Sequence, residues 1–179
     1  MAPSKHNFIM SLTMFVKLRR NIISTVTSCS CALGLLSAPA SHAAEVSGGL
    51  TYSGIFDSNS HAGFSLSITS EPTAFYGIKV VGLYGRSFSN NNDYYSVGLL
   101  HTFSITERVT VGLGFQAGYL KHNDILGDNI EFLSRILVGF RATDDVRVRL
   151  LLAHISNGGL GSKNPGSEIL TLGVVYTLK

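Results

Sequence analysis

The sequence predicts an all-β fold, an eight-stranded antiparallel barrel whose strands cross a membrane, and three observations carry that prediction. From about residue 45 onward, apolar residues alternate again and again with glycine, serine and threonine, the period of two that places successive side chains on opposite faces of a strand. No stretch of that region approaches 18 consecutive apolar residues, so a membrane-spanning helix is not encoded there. The connections between alternating segments run long, short, long in turn, the rhythm of outer-membrane barrels, in which long loops face outside and short turns face the periplasm.

The segments follow in order. Val46, Leu50 and Tyr52 alternate with Ser47, Gly49, Thr51 and Ser53, and Phe64, Leu66 and Ile68 with Gly63, Ser65, Ser67 and Thr69. A third strand is expected over 75–86, with its phase unsettled because Val80-Val81 and Leu83-Tyr84 break the alternation. Tyr95, Val97, Leu99, His101 and Phe103 form the fourth apolar row, and Val109, Val111, Leu113, Phe115, Ala117 and Tyr119 the fifth. In the sixth, Phe132, Ile136, Val138 and Phe140 alternate with Glu131, Arg135, Gly139 and Arg141. The last two strands, 146–156 and 168–178, form a hairpin. Long polar connections are expected at 54–61, 87–92, 121–129 and 157–167, and short ones at 70–73, 106–108 and 142–145. With apolar faces toward lipid, Glu131, Arg135, Arg147 and Arg149 are expected to pair inside the barrel. A secreted lipocalin-like barrel, apolar inside and polar outside, is the alternative, and it sets many glycines on a solvent face.

Residues 1–43 read as a cleaved signal peptide: Lys17, Arg19 and Arg20 precede a moderately apolar run, and small residues at Ser41 and Ala43 suit cleavage after Ala43. Met10 and Met14 compete with Met1 as the start, and Cys29 lies too close to the arginines for a lipoprotein site. That leaves 44–179 as the barrel, with 146–178 as its C-terminal catalytic hairpin. The segment 1–43 holds four basic residues and no acid, so the remainder carries 14 − 4 = 10 basic and 11 acidic residues, a net charge of −1. The basic pI therefore belongs to the export segment and gives no support for nucleic-acid binding. Both cysteines also lie in it, so thiol, disulfide and cysteine–metal chemistry leave with the signal.

The closing hairpin carries the candidate chemistry. The even positions of its first strand are Val146, Val148, Leu150, Leu152, His154 and Ser156, and those of its second are Glu168, Leu170, Leu172, Val174, Tyr176 and Leu178. Both apolar rows thus turn polar only beside the connecting loop, bringing a histidine, a serine and a carboxylate to one rim, facing lipid. Such a cluster is costly in a membrane and points to function. A serine hydroxyl needs a base to take its proton, and that base needs an anion to hold its tautomer. Asn157 and Asn164 are side-chain candidates for an oxyanion hole, and Gly158, Gly159, Gly161 and Gly166 let the loop backbone come close. His61 and His122 are read as loop residues and His101 as near the other end of its strand, which leaves no metal cluster.

The set His154-Ile-Ser156-Asn157, Asn164, Gly166 and Glu168, with its spacings, resembles the closing motif of outer-membrane lipid A 3-O-deacylases. The local likeness spans about 153–178, and the eight-strand pattern extends it along the chain. The resemblance implies a serine esterase that removes the ester-linked 3-hydroxyacyl chain from the 3-position of lipid A without metal or cofactor. It implies Ser156 as nucleophile, His154 as base, Glu168 as orienting acid, Asn164 in the oxyanion hole and Asn157 in support. The implied partner is lipopolysaccharide in the outer leaflet of a Gram-negative outer membrane, with the site at the extracellular level. Two rivals remain at this stage: a non-enzymatic structural or adhesive barrel, and another lipid-modifying barrel such as a phospholipase or acyltransferase. No motif encodes acyl-chain preference, latency, or whether the barrel forms a homodimer.

Overall fold

A strand that alternates apolar and small residues can bury its backbone polar groups in a membrane only by pairing on both edges, and a closed sheet is the arrangement that leaves no edge unpaired. The computed structural model, which describes residues 44–56, 60–89, 92–121 and 126–178, shows that solution. Residues 1–43, on which the expected signal peptide, its expected cleavage position and Cys29 fall, lie outside the described residues. The strands are β1 (Glu45–Ser53), β2 (His61–Thr69), β3 (Lys79–Ser87), β4 (Asp93–Ser104), β5 (Val109–Lys121), β6 (Ile130–Arg141), β7 (Val146–Ser156) and β8 (Ser167–Thr177). Each pairs antiparallel with the next, and β8 closes onto β1 from Glu45↔Thr177 to Ser53↔Ile169. Strands of 9 to 13 residues suit a tilted crossing of the hydrocarbon layer. Among the described residues no helix is long and apolar enough to cross a membrane.

The outer surface decides between the two barrel readings. Leu50, Ile68, Val97 and Leu172 are 59–70% exposed, and Leu99, Leu113, Phe115 and Ile136 join them on the outside. Apolar residues cover the outer wall, as a barrel in lipid requires and a soluble one does not.

Four expectations need correction. β3 begins at Lys79 rather than near residue 75, because residues 74–77 form a turn with Tyr76 (φ 52°) and Gly77 (φ 65°) in the left-handed region. The phase of β3 thereby resolves: Lys79, Val81 and Leu83 point inward and Val80 outward. The 70–78 connection is consequently long, longer than 88–92, so long and short do not alternate strictly. His61 opens β2 instead of lying in a loop.

The fourth correction concerns the interior. Glu131, Arg135, Arg147 and Arg149 do point inward, but among the described residues no ion pair joins one of them to another. Arg147 Nη2 and Lys79 Nζ share Glu45 Oε1 at 2.8 and 2.7 Å. Arg149 Nη2 donates to Ser47 Oγ at 2.6 Å. Nor is the interior polar throughout. Toward the end that carries the 157–166 loop it is lined by Leu120, Leu126, Leu133, Leu151, Ala153 and Ile155.

Candidate active site

The alternation of β7 and β8 delivers three polar side chains to the outside of one rim. Leu151, Ala153 and Ile155 are buried inside, so Leu152, His154 and Ser156 must face out. His154 lies directly opposite Glu168 in the β7–β8 register. Their side chains meet, His154 Nδ1 to Glu168 Oε1 at 3.3 Å. With its hydrogen on Nδ1, donated to the carboxylate, the imidazole keeps Nε2 as a free base. His154 remains about half exposed and Glu168 about a third. The pair therefore sits at an open surface, not in a cleft.

Ser156 follows two residues along the same face, a backbone spacing of about 6.5–7 Å. Among the described residues no hydrogen bond joins its hydroxyl to His154; catalytic hydrogen bonds commonly close only around substrate. On its other flank Ser156 pairs in register with Phe132, whose ring stacks on Phe115 at 5.8 Å and 15°. The serine thus lies between a base and an aromatic shelf.

The loop after Ser156 is held by one buried side chain. Asn157 Nδ2 donates to the carbonyls of Lys163 (2.6 Å) and Leu126 (3.0 Å), and its Oδ1 accepts from Gly159 N–H at 2.9 Å. Its amide is fully used in tying the 157–166 loop to itself and to Leu126, which leaves no donor for a reacting oxygen. Asn157 N–H donates to Asn164 Oδ1 at 3.1 Å. That bond fixes the Asn164 side chain by its oxygen and leaves its Nδ2 donors, at an exposed position, without a partner among the described residues.

Gly166 completes the arrangement by what it lacks. Its φ is 68°, and a Cβ there would fall 2.7 Å from His154 Cε1 and 3.1 Å from Nε2. Only glycine accepts both that backbone and that proximity. The imidazole is thereby braced between the Glu168 carboxylate and the Gly166 backbone.

Two contributors escaped the sequence reading. Ser134 of β6 pairs with His154 in register and is exposed on the same face. Its even position beside Ile136 and Phe132 was the available signal. The Leu126 carbonyl that anchors Asn157 belongs to a distant loop, and no local pattern marks it. Among the described residues no three histidine or carboxylate groups converge as a metal site.

A family model described as lipid A 3-O-deacylase (PagL) matches residues 80–177, more than half the chain and all of the strands that build this rim. The chain belongs to the PagL lipid A 3-O-deacylase family. No curated protein matches it. Among solved structures it is similar to the outer-membrane enzyme PagL, at 17% identity and a TM-score of 0.60, over 75% of this chain and 99% of that one. It is also similar to a de novo designed transmembrane β-barrel (11% identity, TM-score 0.58, 78% and 98% covered). Neisserial surface protein A matches at 19% identity and a TM-score of 0.52, over 75% and 97% of the two chains. At these identities the structures speak for the fold, an outer-membrane β-barrel, while the family model speaks for the PagL lineage.

Proposed function

We propose that the chain is a serine esterase that hydrolyses the ester-linked 3-hydroxyacyl chain at the 3-position of lipid A. The observation that carries the reading is the His154–Glu168 couple on the lipid-facing wall, with Ser156 next along the same face. An enzyme acting on a water-soluble ester has no use for a triad turned toward lipid. An ester embedded at a membrane interface can reach it by lateral diffusion. The same reading puts the site at the outer leaflet, since three of the four longest connections lie at its end and residues 1–43 read as an export signal.

In this mechanism Ser156 Oγ attacks the ester carbonyl while His154 Nε2 takes its proton, and Glu168 stabilises the imidazolium that forms. The carbonyl oxygen becomes an oxyanion, for which the candidate donor is Asn164 Nδ2, its side chain held through its oxygen by Asn157 N–H. Collapse breaks the bond to the sugar oxygen, which leaves with the proton from His154. Water then attacks the acyl-serine carbonyl as His154 takes its proton, and collapse returns that proton to Ser156 Oγ and releases the acid. The Phe115–Phe132 shelf gives the acyl chain an apolar bed beside the serine.

The test is mass spectrometry of lipid A from cells expressing the wild type or Ser156→Ala, both confirmed as folded outer-membrane barrels and also assayed in detergent. Loss of one 3-hydroxyacyl mass in the wild type alone is expected. Unaltered lipid A in cells and in detergent would return the barrel to a structural or adhesive role, and gain of an acyl chain would make it a transferase.

A further inference from the structure

A second site lies inside the barrel, separate from the outward triad. A cavity of about 380 Å³ occupies the interior toward the 157–166 end, walled by Leu83, Leu120, Leu126, Leu133, Leu151 and Ile169. That volume sits at the lower end of pockets that take small molecules, roughly 300–1,000 Å³, and suits one chain better than a multiply acylated lipid. At its deep end stands Arg149, more than nine-tenths buried, bonded to Ser47 Oγ and in no ion pair among the described residues. On the next strand, across from the wall residue Ala153, Arg135 is 97% buried and makes neither hydrogen bond nor ion pair among the described residues. Among the described residues the buried charges inside the barrel are Lys79, Arg135, Arg147 and Arg149 against Glu45 and Glu131, while the buried Asp93 answers Arg86 on the outer face. A buried excess of cation is unfavourable unless an anion answers it.

Apolar walls over an under-neutralised arginine describe a receptor for an anionic amphiphile. We propose that this cavity binds a single-chain carboxylate, a free fatty acid with its tail along the leucine wall and its head group on Arg149. A planar guanidinium matches a carboxylate with two parallel hydrogen bonds. An alcohol or hydrocarbon of the same length fills the wall and leaves the cation unanswered. The inference does not depend on the catalytic reading.

The experiment uses the folded barrel in phospholipid nanodiscs and tetradecanoate carrying 13C at its carboxyl carbon. The expected result is a saturable carboxyl resonance, one per barrel, distinct from that of acid dissolved in the bilayer and not displaced by tetradecan-1-ol. Arg149→Met should weaken binding roughly tenfold to a hundredfold, the worth of a hydrogen bond to a charged group. Ser65→Phe fills the cavity from β2, on a wall away from the triad, and should abolish the resonance in a barrel that still folds. Running 3-hydroxytetradecanoate in parallel separates two sources: tighter binding marks a released acyl product, equal binding free acids in general. A bilayer resonance alone in the wild type, or a bound one untouched by Ser65→Phe, would overturn the proposal.

Discussion

Two polar clusters on the same barrel are built to opposite rules. Inside, Glu45 receives Lys79 and Arg147 at 2.7 and 2.8 Å, with all three side chains largely buried. Outside, His154 and Glu168 meet at 3.3 Å, partly exposed, beside a serine that bonds to neither. The charges of the inner cluster answer one another, so it fixes how β1, β3 and β7 sit around the barrel. The outer one keeps Nε2, the serine hydroxyl and the Asn164 amide nitrogen without partners among the described residues, on a wall that is otherwise mostly apolar. Groups left unsatisfied where lipid should lie do not stabilise a barrel; they are available for a reaction.

That contrast predicts that changes outside strike turnover and changes inside strike stability. The largest effect is expected for Ser156→Ala, which should lower turnover roughly 10⁴–10⁶-fold, with an unfolding midpoint in urea close to that of the wild type. Glu168→Gln removes the anion that holds the imidazole while keeping its shape. It should cost about 10²–10⁴-fold in kcat, less in KM, by a detergent assay on purified lipid A. Glu45→Gln leaves Lys79 and Arg147 buried without their shared carboxylate and should destabilise the barrel by about 3–5 kcal/mol. Turnover per folded molecule should stay near that of the wild type, and equal losses of both would erase the distinction drawn here. Gly166→Ala sharpens the comparison from the outer side: a strained φ and a displaced imidazole should slow turnover about tenfold to a hundredfold, at a stability cost of roughly 1–3 kcal/mol.

The residues that could be read from the sequence were those whose place depends only on the period of two. His154, Ser156 and Glu168 stand out because each interrupts an apolar row at the same end; that His154 lies directly opposite Glu168 is supplied by the register of the folded hairpin. β3 was harder to read because Phe75 and Tyr76 look like strand residues. Their rings instead pack edge to face at 4.7 Å within a turn. Glu45 and Lys79 were invisible as partners, since closure of the barrel brings them together across 34 residues of sequence. Asn157 was misread as a possible oxyanion donor for a similar reason. Its side chain is consumed by carbonyls, one of them 31 residues away. Facing is a local property, whereas partnership across a closed sheet is not.

The central claim is that an outward-facing serine is made nucleophilic by His154. The direct measurement is the intact mass of the folded barrel, and of its Ser156 peptide, after treatment with a long-chain alkyl phosphonofluoridate, an ester mimic that traps activated serines. The account predicts one adduct per wild-type chain, on Ser156, with labelling lost in Ser156→Ala and strongly slowed in His154→Ala. An adduct on another residue, or equal labelling rates in wild type and His154→Ala, would contradict it.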